Sequence, residues 1–502
     1  ASATHQEILA GALHENENLE NPEQHVLAVV RNIKNLPNDA SAKDFIDLKN
    51  GKPDPDCRQQ MQNLKTRLKD KLGNNFIPYN ATWKDDRSVI DNPKEFEDTV
   101  YNFLKGVIQE QLEQVISPDE IDHEIRLHRD FKNGLNEHFY GRNEILHKIK
   151  QYRESSQKQI FCMIGESGSG KSSVMARAVS ETENENKSAL IVYRFIGTSS
   201  ASSNIISLLQ SISGQIAREY NTSLEQLIGE GNEKNLYDIN GITGVCRKCL
   251  ELSTAEKPIF LYLDALDQLN DSDNAKALYW LPTELPEHTR IIVSSLPELE
   301  NQLSSHKVEH LEVLPIPEAE QILKRWFGSV HRTLTKEQYE ELLNQFGKTK
   351  LPIYLKLAFE MAKHWHSYEA DYKLKDDVEG IINEFIDALG KDHNAEFIQD
   401  TICLMLCGRY QGLAEDEILE IFAFDDELWQ KFLEATHPEH RQELVDMKKE
   451  LKGSMKIPIV VWSRLYNDLE PYLTERDADG VPIITFFHRQ FNEVLRKRYE
   501  LN

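Results

Sequence analysis

Residues 160–173 read Ile-Phe-Cys-Met-Ile-Gly-Glu-Ser-Gly-Ser-Gly-Lys-Ser-Ser, and this stretch constrains the fold more than any other part of the chain. Residues 165–172 match the phosphate-binding loop pattern G-x-x-x-x-G-K-[ST]. An apolar strand precedes the pattern and a helix-forming run follows it, which is the context that such a loop requires. The alternative is a Gly/Ser-rich turn that matches the pattern by chance. A turn of that kind does not need a strand before it and a helix after it. The chain is therefore predicted to bind a nucleoside triphosphate.

Each position of this loop has a predicted role. The glycines allow a tight turn that aims backbone N–H groups at phosphate oxygens, and the helix that follows adds positive potential. Lys171 is predicted to reach the β- and γ-phosphates, and the Ser172 hydroxyl to bind Mg²⁺. The predicted nucleotide-binding residues of the loop are Gly165, Glu166, Ser167, Gly168, Ser169, Gly170, Lys171, Ser172 and Ser173.

A carboxylate site is predicted downstream, because a phosphate-binding loop needs acidic residues for Mg²⁺ and for the attacking water. Residues 258–264 form an apolar run that ends in Asp264, which is predicted to hold Mg²⁺ through water. Asp267 lies three residues on, in a position to orient or deprotonate water. For both aspartates the alternative is a solvated side chain at the end of a strand.

The next predicted strand ends in two hydroxyl residues, Ser294 and Ser295. Neighbouring side chains on a strand face opposite sides of the sheet, so only one of the two can lie between the loop and Asp264. We assign Ser295 to this position and expect it to sense the γ-phosphate.

Composition limits the classes of partner. The chain has 502 residues, enough for about three or four domains, and a formal net charge of −25. A chain this acidic is poorly suited to wrapping nucleic acid, and no apolar run approaches the length that spans a bilayer. The six cysteines do not make a disulfide framework. We expect a cytoplasmic protein with neither nucleic acid nor membrane as a partner, and a processed or partial chain, since it starts without Met.

Strand and helix signals alternate through the middle of the chain, which predicts a parallel sheet covered on both faces. The predicted strands are residues 159–164, 189–196, 259–263, 290–294 and 310–314. Helices are predicted at 203–219, 317–327, 335–346 and 353–364, and a turn and strand at 477–487. The first part of the chain is predicted to be mixed α/β, with a strand at 25–30, an amphipathic helix at 96–115 and a charged linker helix at 119–136.

Several segments follow one another in the order found in signal-transduction ATPases with numerous domains (STAND), which the chain resembles. They are Phe139-Tyr-Gly-Arg-Asn-Glu144, the phosphate-binding loop, Leu263-Asp-Ala-Leu-Asp-Gln268, the run from Ile292 to Pro297, Leu351-Pro-Ile-Tyr-Leu355 and Phe486-Phe-His-Arg-Gln-Phe491. The last resembles the winged-helix motif F-x-H-x-x-F-x-E-x-L of NACHT proteins. Residues 194–200 and 461–465 are similar to the subgroup that contains telomerase-associated protein, nephrocystin and bacterial relatives.

This resemblance implies further site residues. Phe139, Tyr140 and Arg142 would lie at the nucleotide, Pro352 would contact adenine, and His488 would contact the β-phosphate of ADP and hold the resting state. From the residues alone, Pro352 is equally a proline in the first turn of a helix, and His488 a core histidine where a strand meets a helix.

The resemblance also implies an architecture. It is an AAA+-like α/β P-loop NTPase with a parallel sheet, followed by an α-helical domain and a winged-helix domain. The predicted boundaries are 1–128 for a partial α/β N-terminal domain with its linker helix, 129–315 for the NTPase, 316–377 and 378–502. The start of the chain is similar to the later half of a TIR-like domain whose first half is absent here.

Two positions depart from the family pattern. Gln268 stands where NACHT proteins usually have Glu, and Leu296 where an Arg often ends the sensor strand. A glutamine orients water but does not accept its proton at neutral pH, so that hydrolysis is expected to be slow or to depend on Asp267.

The expected function is a switch that binds ADP or ATP with Mg²⁺, self-associates on activation and hydrolyses ATP slowly. A protein trigger would act through a C-terminal sensor that is missing from this chain. Innate immunity and antiviral defence are among the settings in which this architecture occurs. The alternatives are an AAA+-type motor or loader ATPase and a scaffold that binds nucleotide without hydrolysing it.

Overall fold

The computed structural model divides the chain into two compact units, residues 1–119 and 120–502, which are described one at a time. The structure describes residues 8, 12–13, 26–84, 89–90, 93–115, 119–137, 139–229, 233–368, 373–408, 411–424, 426–435, 438, 441–442, 445–446, 459–478 and 481–501. Residues 4–7 and 9–11 of the segment predicted to resemble a TIR-like domain, and residues 479–480 of the turn predicted at 477–480, lie outside these residues.

The first unit is mixed α/β. Its strands are β1 (Ala28–Lys34), β2 (Leu48–Lys49), β3 (Lys52–Pro53), β4 (Phe76–Trp83) and β5 (Val89–Ile90), and its helices are α1 (Pro55–Leu72) and α2 (Pro93–Val115). Strand β1 pairs in parallel with β4, and β5 pairs antiparallel with the other edge of β4. The predicted amphipathic helix is present as α2, and the strand predicted at 25–30 lies at 28–34.

A parallel sheet forms the centre of the second unit. Its strands are β6 (Phe161–Ile164), β7 (Leu190–Phe195), β8 (Ile259–Asp264), β9 (Thr289–Ser295) and β10 (Lys307–His310), in the order β10-β6-β9-β8-β7. Every neighbouring pair is parallel, and all residues of β6, β8 and β9 are buried. Burial on both faces is what continuous apolar runs in a parallel sheet require. The predicted α/β P-loop NTPase fold is confirmed.

Helices precede, connect and follow these strands. They are α3 (Glu120–Glu137), α4 (Asn143–Glu154), α5 (Lys171–Glu185), α6 (Ser200–Ser203), α7 (Ile205–Glu219), α8 (Leu224–Ile228), α9 (Ile239–Leu250), α10 (Glu300–Leu303), α11 (Ile316–Ser329), α12 (Lys336–Thr349), α13 (Pro352–Ala362), α14 (Val378–His393), α15 (Ala395–Cys407), α16 (Glu415–Phe424), α17 (Asp426–Ala435), α18 (Ile459–Leu469) and α19 (Arg489–Arg498). A hairpin of β11 (Leu473–Ala478) and β12 (Val481–Phe486) precedes α19. None of the helices in the described ranges is long and apolar enough to cross a membrane.

The strand predicted at 310–314 is wrong in position. Strand β10 ends at His310, which pairs with Ile164, the last residue of β6. Since β6 turns into the phosphate-binding loop at that point, residues 311–314 have no strand beside them with which to continue the ladder.

The segment predicted as a linker helix, α3, packs on the sheet unit. His128 is fully buried, and its Nδ1 atom accepts a hydrogen bond of 3.1 Å from the Phe195 backbone at the end of β7. Lys132 is also buried and pairs with Glu183 of α5 at 2.5 Å. The charged face of α3 is therefore partly an internal surface.

Helices α11 to α19 share one apolar core. It runs from Leu314 and Phe346 through Phe422 and Phe486 to Leu495, all nearly inaccessible to solvent. Residues on both sides of the predicted boundary between 377 and 378 belong to this core.

We expect Phe422→Ala to destabilise this core by about 3–5 kcal/mol, because the side chain is fully buried and a cavity would remain. Phe424→Ala on the same helix is the matched control, since its side chain is 72% exposed and its loss should cost less than about 0.5 kcal/mol. Urea unfolding followed by tryptophan fluorescence measures both. Equal losses would contradict the placement of α16.

Candidate nucleotide site

The phosphate-binding loop connects β6 to α5 through backbone conformations that favour glycine. Gly168 and Gly170 have φ angles of +77° and +90°. A Cβ atom on Gly168 would lie 2.4 Å from Cγ2 of Ile353, so that this position also lacks room for a side chain. Glycine is therefore favoured at position 168 for two reasons, the backbone conformation of the turn and the close approach of α13.

Lys171 folds back over the loop. Its Nζ donates hydrogen bonds of 2.7 and 2.9 Å to the carbonyl oxygens of Gly165 and Glu166. Burial lowers the pKa of this ammonium group, while the carboxylates of Asp264 and Asp267 act in the opposite direction. The ammonium group thus lies at the loop, near enough to both aspartates to be influenced by their charge.

Asp264 lies at the end of β8 in fully buried surroundings. Burial raises the pKa of its carboxyl group, and hydrogen bonds from the Ser172 and Ser294 hydroxyls oppose this rise. The structure thus brings together Ser172 and Asp264, the two residues predicted to hold Mg²⁺. Their oxygen atoms are of the type that Mg²⁺ prefers.

The serine beside Asp264 is Ser294 rather than the predicted Ser295. Its hydroxyl donates to Asp264 Oδ1 at 2.5 Å and accepts a bond of 2.9 Å from the Ala265 backbone. The Ser295 hydroxyl is buried without a hydrogen-bond partner among the described residues. Side chains alternate along β9, so that only one of the two serines faces Asp264. That serine is Ser294, and the assignment of Ser295 to this position was wrong.

Asp267 contacts both the sheet edge and the C-terminal helix. Its Oδ1 accepts a hydrogen bond of 3.2 Å from the Leu296 backbone, and its Oδ2 lies 3.7 Å from Nη1 of Arg489 at the start of α19. Gln268 is exposed, and its Oε1 atom would lie 2.1 Å from a Cβ atom on Gly197. Gly197, with φ of +93°, therefore makes room for the glutamine.

Arg142 forms hydrogen bonds with the backbone of the phosphate-binding loop and of a neighbouring segment. Its guanidinium donates hydrogen bonds to the carbonyl oxygens of Ser169 at 2.8 Å and Glu312 at 2.6 Å. Its backbone N–H donates to Oε2 of Glu318 at 3.0 Å. The residue thus ties the phosphate-binding loop to the segment that leads into α11.

Pro352 begins α13, whose first turn contacts the loop. The Ile353 backbone donates to the Gly168 carbonyl at 3.3 Å, and Pro352 would lie 3.5 Å from a Cβ atom on Gly170. The helix continues an apolar wall that includes Phe359 and Trp326, with ring centroids 5.3 Å apart. Such a wall suits a flat aromatic ring.

His488 precedes α19 and caps it, since Nδ1 accepts a hydrogen bond of 3.2 Å from the Gln490 backbone. Burial lowers the pKa of the imidazole to about 4, and four nearby cations contribute in the same direction. These cations are Lys171, Arg489, Lys356 and Arg476. The imidazole is therefore neutral at pH 7.

One cavity of about 470 Å³ brings most of the predicted residues together. Its lining includes Phe139, Tyr140, Arg142, Ser167, Gly168, Gly170, Lys171, Ser172, Ser173, Asp264, Asp267, Gln268, Pro352 and His488. Gly165, Glu166, Ser169 and Ser295 are not among the lining residues. The cavity thus contains the loop, both aspartates and the C-terminal histidine.

Four side chains of the site escaped prediction: Ser294, Lys356, Arg476 and Arg489. Arg489 follows His488 directly, and Lys356 lies one helical turn after Pro352, so that the neighbouring motifs were a signal for both. Arg476 carries no such signal, because its strand reaches the site only through the hairpin.

Comparisons with known proteins agree with this geometry. The family described as Nephrocystin 3, N-terminal, matches residues 143–295. The chain is 24% identical over 426 residues to mouse NACHT and WD repeat domain-containing protein 2, covering 81% of this chain and 23% of that protein. It is 25% identical over 513 residues to human NACHT domain- and WD repeat-containing protein 1, covering 96% of this chain and 31% of the relative. These findings and the loop support a NACHT-type P-loop NTPase that binds nucleotide.

A solved structure with a related description is the STAND protein with a tetratricopeptide repeat sensor from Pyrococcus horikoshii. It is 15% identical, with a TM-score of 0.39, and the match covers 72% of this chain and 42% of that chain. The chain spans less than a third of the length of the first curated relatives.

Lys171→Ala is expected to lower ADP and ATP affinity by at least about 100-fold, because it removes a charge-assisted contact to phosphate. Lys158→Ala is the control, since that lysine is exposed and pairs with Glu284. Isothermal titration measures both affinities, and circular dichroism checks the fold. Unchanged ATP affinity in the Lys171 variant would contradict the site.

His488→Asn is expected to weaken the loss of stability in acid. Between the pKa of about 4 in the folded chain and about 6.5 in an unfolded chain, the unfolded chain binds a proton that the folded chain does not. The stability due to neutral His488 is thus fully present above about pH 6.5 and lost as the pH falls towards 4.

Urea unfolding at about pH 7 and about pH 4.5 tests the predicted loss of stability in acid. The parent chain should lose about 1–3 kcal/mol more than the His488→Asn variant across this interval. His147→Asn, at an exposed position of α4, is the control. A parent chain and a His488 variant with the same pH dependence would contradict the buried, neutral imidazole.

Proposed function

We propose that this chain is the nucleotide-binding part of a signal-transduction switch that holds ADP in a closed arrangement and opens with ATP and Mg²⁺. The observation that carries the proposal is the position of α19. Its first residue, Arg489, lies 3.7 Å from Asp267, and its cap, His488, lines the same cavity as Lys171. The start of α19 therefore lies in the cavity where the phosphates of a nucleotide would be bound.

In this proposal the loop N–H groups and Lys171 bind the phosphates, and the apolar wall beside Pro352 binds adenine. Ser172 and Asp264 would hold Mg²⁺, which supplies charge neutralisation at the β- and γ-phosphates. Ser294 keeps the Asp264 carboxylate oriented through its hydrogen bond of 2.5 Å. His488, neutral at pH 7, offers a ring N–H to a phosphate oxygen.

Asp267 is the proposed base for the attacking water, and Gln268 helps to orient that water. The closed arrangement restrains this base. The Arg489 guanidinium lies 3.7 Å from Asp267 and occupies space that the attacking water would otherwise take. Slow hydrolysis follows from the Arg489–Asp267 pair as well as from the glutamine at position 268.

Opening would separate α19 from the loop and lose the contacts of His488 and Arg489. A ligand shifts such an equilibrium only through contacts that differ between the two arrangements, and these two residues provide them. We propose that opening exposes a surface for self-association, under the control of a protein trigger. The winged-helix role of the hairpin and α19, and a cytoplasmic setting in defence signalling, belong to the same proposal.

Arg489→Gln is expected to raise basal ATP turnover by about two- to fivefold, the range for a partly exposed ion pair. Lys497→Gln is the matched control on the same helix, since it pairs with Glu379 outside the cavity. Asp267→Asn should reduce turnover in either background. Steady-state phosphate release measures the rates, and a turnover lowered by the Arg489 variant would contradict restraint of Asp267.

His488→Ala tests the switch itself. We expect the parent chain to purify with ADP and to turn over slowly, and the variant to lose the retained ADP and to self-associate with ATP. Chromatography of the released nucleotide and light scattering measure these properties. An empty parent chain with rapid turnover would instead support a motor or loader ATPase, and nucleotide binding with neither turnover nor change in assembly would support a scaffold.

A further inference from the structure

Two basic side chains in the cavity have no part in the proposal above. Lys356 lies on α13, one turn after the proline at its start, and Arg476 lies on β11 in the C-terminal hairpin. Both line the cavity together with Lys171 and His488. Both are also close enough to His488 to disfavour its protonation.

Neither side chain has an acidic partner within ion-pair distance among the described residues. The Nε atom of Arg476 is buried without a hydrogen-bond partner in that part of the chain. Burial lowers the pKa of its guanidinium, and no carboxylate of the described residues acts against this effect. Arg476 is thus a half-buried cation that has no anion beside it within the part of the chain that the structure describes.

Lys356 is in a similar position. Its ammonium group lies 4.3 Å from the centroid of the Phe487 ring, a contact that stabilises a cation only partly. Burial lowers the pKa of the ammonium group. Glu360 acts against this effect, but its carboxylate already pairs with Lys363 at 2.5 Å.

Buried charges in proteins are normally paired, because the loss of hydration costs several kcal/mol for each ion. The other cations of this cavity follow the rule, since Arg489 has Asp267 and Glu493, and Lys171 faces the two aspartates. Two unpaired cations that line one cavity therefore indicate that an anion completes their surroundings when the site is occupied.

We propose that Arg476 and Lys356 form an anion subsite that binds phosphate oxygens next to the phosphate-binding loop. A guanidinium presents several donors in a fixed plane, which suits a phosphate, and a lysine adds a compact charge. The anion is either a phosphate of the nucleotide in the loop or a separate inorganic phosphate. The subsite rests on the proposed nucleotide function, because it shares that cavity.

An anion bound in this subsite would contact segments that are far apart in the sequence. Lys171 belongs to α5, Lys356 to α13 and Arg476 to β11, so that an anion held among them joins the loop, the helical segment and the hairpin. The subsite exists only while these segments are together. It therefore favours the closed arrangement whenever the anion is present.

The test uses the full chain and the variants Arg476→Gln, Lys356→Gln and the conservative Arg476→Lys. Lys348→Gln is the matched control, since that lysine is half exposed and pairs with Asp376 outside the cavity. Isothermal titration measures ADP affinity in buffer without phosphate and in buffer with inorganic phosphate. Thermal unfolding gives the melting temperature with and without ADP.

We expect each glutamine variant to lose about tenfold or more in ADP affinity, and Arg476→Lys to lose less, if the anion is a phosphate of the nucleotide. If the anion is separate, ADP affinity without phosphate stays the same and its increase on adding phosphate disappears. Either result supports the subsite. The melting temperature of Arg476→Gln without ADP should be unchanged or higher, since the variant removes a half-buried cation that has no partner among the described residues.

A merely structural role for Arg476 predicts the reverse, a lower melting temperature without ADP and an unchanged shift when ADP is added. That outcome, or glutamine variants that match the parent chain in both buffers, would overturn the inference. The proposed function fails separately, if the parent chain itself binds no nucleotide. ADP binding by the parent chain with unaltered variants would leave the switch intact and remove only the subsite.

Discussion

The carboxyl ends of the parallel strands β6, β9 and β8 lie at one edge of the sheet. The register between these strands sets the positions of the site residues. Ile164 of β6 pairs with Ser295 of β9, and β9 pairs in turn with β8, which ends in Asp264. The backbone N–H of Gly165 then bonds to the Ser295 carbonyl at 3.2 Å, so that the loop starts from a fixed point beside the carboxylate. A shift of one residue in this ladder would turn Ser294 away from Asp264 and separate the loop from its acidic partner.

Elements from the C-terminal half of the chain complete the candidate nucleotide site that starts at the edge of the sheet. Helix α13 approaches the loop so closely that position 168 has no room for a side chain, and α19 brings a histidine and an arginine to the same cavity. In this arrangement α13 and α19 share one apolar core, which holds both of them at the cavity. The electrostatic character of the site follows from this assembly, since most of the cations around His488 come from segments that follow the sheet in sequence.

Much of this arrangement was predictable from local sequence, and the exceptions have physical reasons. The strands of the sheet are continuous apolar runs, and the loop has a fixed spacing, so that both were placed to within a few residues. The choice between Ser294 and Ser295 depends on which face of β9 meets β8, which a single strand does not reveal. The end of β10 depends on where its partner stops. Arg476 depends on a hairpin that folds back over the site, and His128 and Lys132 depend on a helix whose charged face is partly internal.

The contact between Gly168 and Ile353 has a mechanical consequence. The hydrogen bond of 3.3 Å and the absence of a side chain leave no compressible layer between the loop and the first turn of α13. That turn belongs to a single core that extends to Leu495. A displacement of the loop at this contact would therefore act directly on α13 and, through the shared core, on the helices packed with it.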